Sequence, residues 1–117
     1  MPGLRDVVQH LADRDGVEAV VVVSGDGLTI DHATRAGLDA DALAAMIPAL
    51  TQTAGQVGAA ASGGKLTSAV FDFAGRLLVF SSLNEGNSLL VLTGPDTNIG
   101  SLLYDLRKHQ PAIAQLL

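Results

Sequence analysis

Between Asp41 and Lys65 the chain carries no charged side chain, and only 16% of its 117 residues are charged. An average soluble domain has about 25%. A surface helix normally shows water a charged face, so an uncharged one is buried on more than one side or covered by a partner. Cysteine is absent, which excludes disulfides and thiolate metal sites. With no tryptophan and a single tyrosine, Tyr104, an aromatic ligand cage or a base-stacking surface has no support. Seven basic residues stand against twelve acidic ones, for a net charge of -5, and only Arg107 and Lys108 are adjacent. A scattered, outnumbered set of cations argues against nucleic acid and against unspecific attraction to anionic lipid. No secretory signal is read at Met1-Pro2-Gly3-Leu4, which runs straight into a charged amphipathic segment. Ala42–Gly64 is long enough to span a bilayer, but Pro48, Gln52, Gln56 and several Gly and Thr residues make it weakly apolar. The expectation is a cytoplasmic protein without direct membrane insertion, one domain over residues 1–117.

What is present reads as an alternation of helices and strands. Leu4, Val7, Val8 and Leu11 recur at helical spacing, largely opposite Arg5, Asp6, Gln9, Asp13 and Arg14. Glu18–Ser24 holds an Ala-Val-Val-Val-Val run suited to a central strand covered on both faces. Gly25-Asp26-Gly27 is a tight reversal, Leu28–Asp31 the returning strand and His32–Gly37 a polar connection. Asp39 is placed to cap a long helix, and Asp41 suits its first turn. That helix covers Ala42–Ser62, with a bend expected between Ala44 and Pro48 because proline removes an amide donor. Its twenty-one residues reach about 32 Å, and Ser62-Gly63-Gly64 ends it.

Along this helix Leu43, Met46, Ile47, Leu50, Ala54, Val57 and Ala61 form a stripe expected to lie on the domain's own sheet. Two further lines, Ala45-Ala49-Gln52-Gln56-Ala59 and Ala44-Thr51-Gly55-Gly58, hold mostly small residues that let another backbone approach closely. Three strands follow. Leu66–Phe73 sets Ala69, Phe71 and Phe73 against Ser68, Val70 and Asp72, Leu77–Ser81 returns, and Ser88–Thr93 is a third apolar strand. Asp96 or Thr97 is expected to cap a last helix bearing Ile99, Leu102, Leu103 and Leu106, and Pro111 to end or kink it. The order helix, two strands, helix, three strands, helix predicts an α+β (α/β sandwich) fold around a five-stranded antiparallel sheet.

Candidate chemistry is sparse. Ser24 beside Asp26 has the look of a nucleophile and a carboxylate, but a hydrolytic serine needs a positioned base, and His10, His32 and His109 share no motif with it. Ser62-Gly63-Gly64-Lys65 resembles half a phosphate loop, yet it follows a helix and precedes a strand, the reverse of the phosphate-loop order. Asp39 and Asp41 alternate as in calcium loops without the later ligands. Asp72 has Arg76 as an expected ion-pair partner across a short turn. The reading is of a protein without its own active site, cofactor or metal.

The succession of Leu11, Gly16-Val17, Ala19–Ser24, Asp26-Gly27-Leu28, Ala44-Ala45, Thr53-Ala54, Leu89–Leu92, Asn98-Ile99-Gly100 and Leu103 resembles the roadblock domain family. That family includes the dynein light chains of that name and the bacterial MglB-type polarity regulators. The resemblance covers almost the whole chain. It implies a homodimer, or a heterodimer with a paralogue, in which the strand after the long helix pairs with its partner copy and the long helices pack side by side. Carried onto this sequence, the interface comprises Ala45, Ala49, Gln52 and Gln56 with Thr67, Ala69, Phe71 and Phe73. It further implies a Ras-like small GTPase as partner, and the exposed part of the long helix, with Pro48, Thr51, Gly55 and Ala59, is the expected place for it to bind. The alternative is a scaffold or adaptor subunit of a motor, cargo or signalling complex without direct action on a GTPase.

Overall fold

A computed structural model describes residues 3–35 and 37–117. The elements run α1 (Leu4–Ala12), β1 (Val17–Val23), β2 (Thr29–Thr34), α2 (Ala40–Ala60), β3 (Ser68–Phe73), β4 (Arg76–Ser82), β5 (Ser88–Thr93) and α3 (Ile99–Gln115). The strands form one antiparallel sheet in the order β2-β1-β5-β4-β3. This is the expected α+β sandwich, with β2 longer than its sequence suggests: His32, Ala33 and Thr34 continue the ladder opposite Val21, Val20 and Ala19. Ala33 packs on the core, and pairing with a buried valine strand outweighs the polarity of His32 and Thr34.

The valine run explains the layering. Side chains alternate across a strand, so Val20 and Val22 join Val79, Leu89 and Val91 on one face, under α1 and α3. Val21 and Val23 join Phe80 and Leu90 on the other, under α2. A register shift between Val17 and Ala19 carries Val17 to the first face as well. Each fully buried Val, Leu or Phe contributes about 1.5–3 kcal/mol relative to exposure, so β1 and β5 anchor both layers.

Helix ends are set locally. The Gly3 amide donates to the Asp6 carboxylate at 2.9 Å at the start of α1, and Asp39 accepts from the Ala42 amide at 3.1 Å at the start of α2. The cap of α3 is Asn98, which accepts from the Ser101 amide at 3.1 Å. The expected caps, Asp96 and Thr97, instead lie in the turn before it, where the Thr97 amide donates to the Gly94 carbonyl at 3.4 Å. Pro111 does not end α3, which continues to Gln115. The bond proline forfeits is to the Arg107 carbonyl; both residues are exposed, so water is available to replace it. Fully buried Ile113 holds the next turn on the core. The helix α2 also holds its proline, Pro48, in its interior and continues to Ala60.

The face of α2 differs from the predicted stripe. Ala40, Ala44 and Ile47 are its buried residues, with Leu43 and Leu50 packed beside them. Met46 is 68% exposed and Val57 63%, and Ala61 is exposed. Small Ala40 and Ala44 let the helix approach the sheet, while the bulky stripe is rotated toward the flank. Gly58 admits a backbone as expected of a small residue, but the backbone is the chain's own: a Cβ there would stand 2.7 Å from the Gly64 carbonyl oxygen. The Gly63 amide donates to the Gly58 carbonyl at 2.8 Å, folding the chain back toward β3.

Candidate interaction surface

α1 and α3 together close one face of the sheet, but α2 alone serves the other, against β1 and β2. Beyond buried Phe80, the outer part of that second face on β4 and β3 lies open. On it Ala69 stands opposite Phe80, Phe71 opposite Leu78 and Phe73 opposite Arg76. Between these strands and α2 runs an open groove of about 440 Å³ lined by Leu43, Met46, Leu50, Phe71 and Phe73 over a floor that includes Leu78. Phe73 is 56% exposed. Among the described residues strand β3 pairs only with β4, so its outer edge presents amides and carbonyls next to the groove. An apolar edge strand of this kind is a template for pairing with another chain.

The structure places the residues proposed for an interface in two groups. Ala45, Ala49, Gln52 and Gln56 are all exposed on α2. Ala69 and Phe71 are half-buried and Thr67 is exposed before β3 begins. Among the residues proposed for a further partner, Gly55 and Ala59 are exposed, but Pro48 and Thr51 are half-buried. Pro48 packs against the β1–β2 turn: a Cβ on Gly27, whose φ is +80°, would stand 3.0 Å from the proline Cγ. The Thr51 hydroxyl donates to the Pro48 carbonyl at 3.1 Å. Sequence reasoning missed Met46 as a groove residue, because its helical spacing matched residues that do reach the core.

One end of the open half-sheet is polar. Arg76 on β4 donates through Nε and Nη2 to the two carboxylate oxygens of Glu18 on β1, at 2.9 and 3.2 Å, strapping across β5. These hydrogen bonds, with the nearby charges of Arg76 and Arg35, hold the Glu18 carboxyl below its ordinary range. The same bonds raise the Arg76 guanidinium. The expected Asp72–Arg76 pair is not formed. Phe73 is the residue opposite Arg76 and Asp72 faces Leu77, so the pleat sends Asp72 to the opposite face.

Elsewhere Arg14 on the α1–β1 connection reaches α3, donating to Asp105 and, at 2.7 Å, to the Ser101 hydroxyl. Arg5 pairs with Asp31 at 3.1 Å. His10 and His109, distant in sequence, bring their rings to 5.5 Å between centroids. His109 Nδ1 lies 2.8 Å from the Asp105 carbonyl. Among the described residues no helix is long and apolar enough to cross a membrane.

The arrangement is that of a roadblock-like α+β sandwich. Residues 4–93 match the Roadblock/LC7 domain, and the chain belongs to that family. No curated protein matches its sequence. Among solved structures it is similar to a Roadblock/LC7 domain from Streptomyces avermitilis, at 25% identity and a TM-score of 0.79, over 97% of this chain and 93% of that one. Myxococcus xanthus MglB is similar at 16% identity and a TM-score of 0.88, with 97% and 93% covered. An MglB solved with a tetrameric arrangement is similar at 12% identity and 0.86, with 97% and 86% covered. The likeness to MglB is one of fold. It extends through α3, which lies beyond the matched family residues.

Proposed function

We propose that this protein is a noncatalytic regulatory dimer that binds a Ras-like small GTPase and modulates its nucleotide cycle or localisation. The observation that carries the dimer is the open half-sheet. Phe71, Phe73 and Met46 line an apolar groove directly beside an unpaired strand edge. A second copy related by a two-fold axis would pair β3 with β3 and lay its own α2 alongside Ala45, Ala49, Gln52 and Gln56, covering both at once. That explains why a helix with an exposed flank carries no charge between Asp41 and Lys65: charges there would be buried unpaired in the dimer.

The GTPase half of the reading rests on family membership and on the resemblance to MglB-type regulators. The outer surface of the paired α2 helices, including Gly55 and Ala59, is the docking site in this reading. Regulation proceeds by repositioning the GTPase's switch loops.

Light scattering tests the first half: the expected mass is twice the 12.0 kDa of one chain, and a monomer at micromolar concentration refutes it. For the second half, the tagged protein is used to recover Ras-like GTPases from its own cells, and GTP turnover of the recovered protein is measured with and without added dimer. A changed turnover supports regulation. Stable capture with unchanged turnover assigns the adaptor role instead.

A further inference from the structure

We propose that the groove between α3 and the start of β3 docks an acidic peptide segment of a partner protein. Of the seven Lys and Arg residues, Arg5, Arg14 and Arg76 are neutralised by Asp31, Asp105 and Glu18. Arg35, Lys65, Arg107 and Lys108 make no ion pair among the described residues. Two of these four, Lys65 and Arg107, line one groove of about 380 Å³, and Lys108 follows on the exposed side of α3. Two of the four unpaired cations thus stand in one groove of a molecule whose net charge is -5.

The groove is also free of the opposite charge. Three other grooves each carry two carboxylates: Asp13 with Glu18, Asp15 with Asp96, and Asp39 with Asp41. The groove beside α3 has none in its lining, and adds the hydroxyls of the cross-strand pair Ser68 and Ser81 beside apolar Leu66 and Leu83. Its far wall is fixed, since Gln110 Nε2 donates to the Ser82 carbonyl at 3.2 Å. The Ser62-Gly63-Gly64-Lys65 turn acquires a role here. Ser62 and Gly64 take positive φ to reverse the chain, which brings Lys65 to the groove as α2 gives way to β3.

Lysine and arginine charges with hydroxyl donors match carboxylates, and the apolar floor suits a side chain between them. A membrane surface fits less well, because polybasic lipid sites gather about 4–8 cations and this groove has two. The field of an acidic protein repels an acidic partner at range. Recognition therefore operates within about one Debye length, roughly 8 Å at physiological salt.

The test is fluorescence anisotropy on the full chain with a fluorescein-labelled peptide of alternating Glu and Ser, a Lys–Ser peptide as control, and sedimentation with phosphatidylserine-containing vesicles. The expected result is saturable binding of the Glu–Ser peptide that weakens with added salt. It should fall about tenfold in the Lys65→Glu/Arg107→Glu double variant, whose two sites are exposed, and persist in Arg35→Glu. Matched circular dichroism of the variants checks folding. Absence of saturable binding, equal binding of the Lys–Ser peptide, or an unchanged affinity in the double variant overturns the proposal. Capture by vesicles in preference to the peptide overturns it in favour of a lipid surface.

Discussion

On one side of the sheet, α1 and α3 leave Val20, Leu89 and Leu102 without contact with water. On the other, α2 covers β1 and β2 and stops short of β3, where Phe73 keeps more than half its surface exposed. Both faces are apolar, and they are built from the same strands. The difference lies in how many helices serve each: two elements close the first face, while a single helix of about 32 Å crosses only part of the second. Apolar character in a strand therefore does not say whether the strand is finished within one chain. The closed face holds the monomer together, and the open half-face is where association would gain most.

Substitutions can separate these roles. The largest effect is expected on the closed face: Leu102→Ala, at a fully buried position, should lower stability by about 3 kcal/mol in urea denaturation. A loss much below 1 kcal/mol would mean that α3 is not integral to the core. Phe73→Glu belongs to the open face. It should shift light scattering to the monomer mass with a loss of association of about 2 kcal/mol or more, while the stability of the folded monomer in urea barely changes. Ala49→Glu should act in the same direction from α2; loss of folding without any change in association would erase the contrast between the faces. Gly27→Ala tests how firmly α2 is seated. With φ at +80° and Pro48 Cγ 3.0 Å from the new Cβ, it should cost about 1–2 kcal/mol and disturb the seating of α2 on β1 and β2.

The smallest expected effect is at the polar end of the open half-sheet. Glu18 titrates below its ordinary range because Arg76 bonds its charged form. Its contribution is therefore fully present above the unfolded-state pKa and is lost as pH falls through the lower folded-state value. Glu18→Gln should flatten the acid limb of the stability curve without changing stability differences between neutral and mildly alkaline pH. A Glu18 side-chain NMR titration centred at or above 4.5, its unperturbed value, would break the assignment of the strap.

Much of this was legible because local chemistry decided it. The Val20–Val23 run could only be a covered strand, and Asp39 before an uncharged helical segment could only be useful as a cap. The Asp72–Arg76 error was avoidable, since a two-residue turn at Ala74-Gly75 sets Phe73 opposite Arg76 and so turns Asp72 to the other face. Asn98 was equally readable as a cap, being at least as strong an N-cap residue as Asp or Thr, yet three adjacent candidates could be ranked only by where α3 docks. The α2 stripe was not recoverable from spacing. Leu43, Met46, Ile47 and Leu50 share a helical arc, and only the path of the helix across the sheet decides that Ile47 is buried and Met46 lines a groove. The approach of His10 to His109 and the crossing of Arg76 to Glu18 depend wholly on which helices and strands become neighbours.

The sequence by itself determined the order of the elements, their apolar and polar alternation, and the absence of charge from Ala42 to Gly64. Those properties follow from nearest-neighbour sterics and from hydrophobic period, which act within a few residues. Tertiary structure alone decided which apolar surfaces remain open and which cations remain unpaired. Both are differences between surfaces the chain could cover and those it does cover, and they are settled only when distant segments compete for the same faces of one sheet.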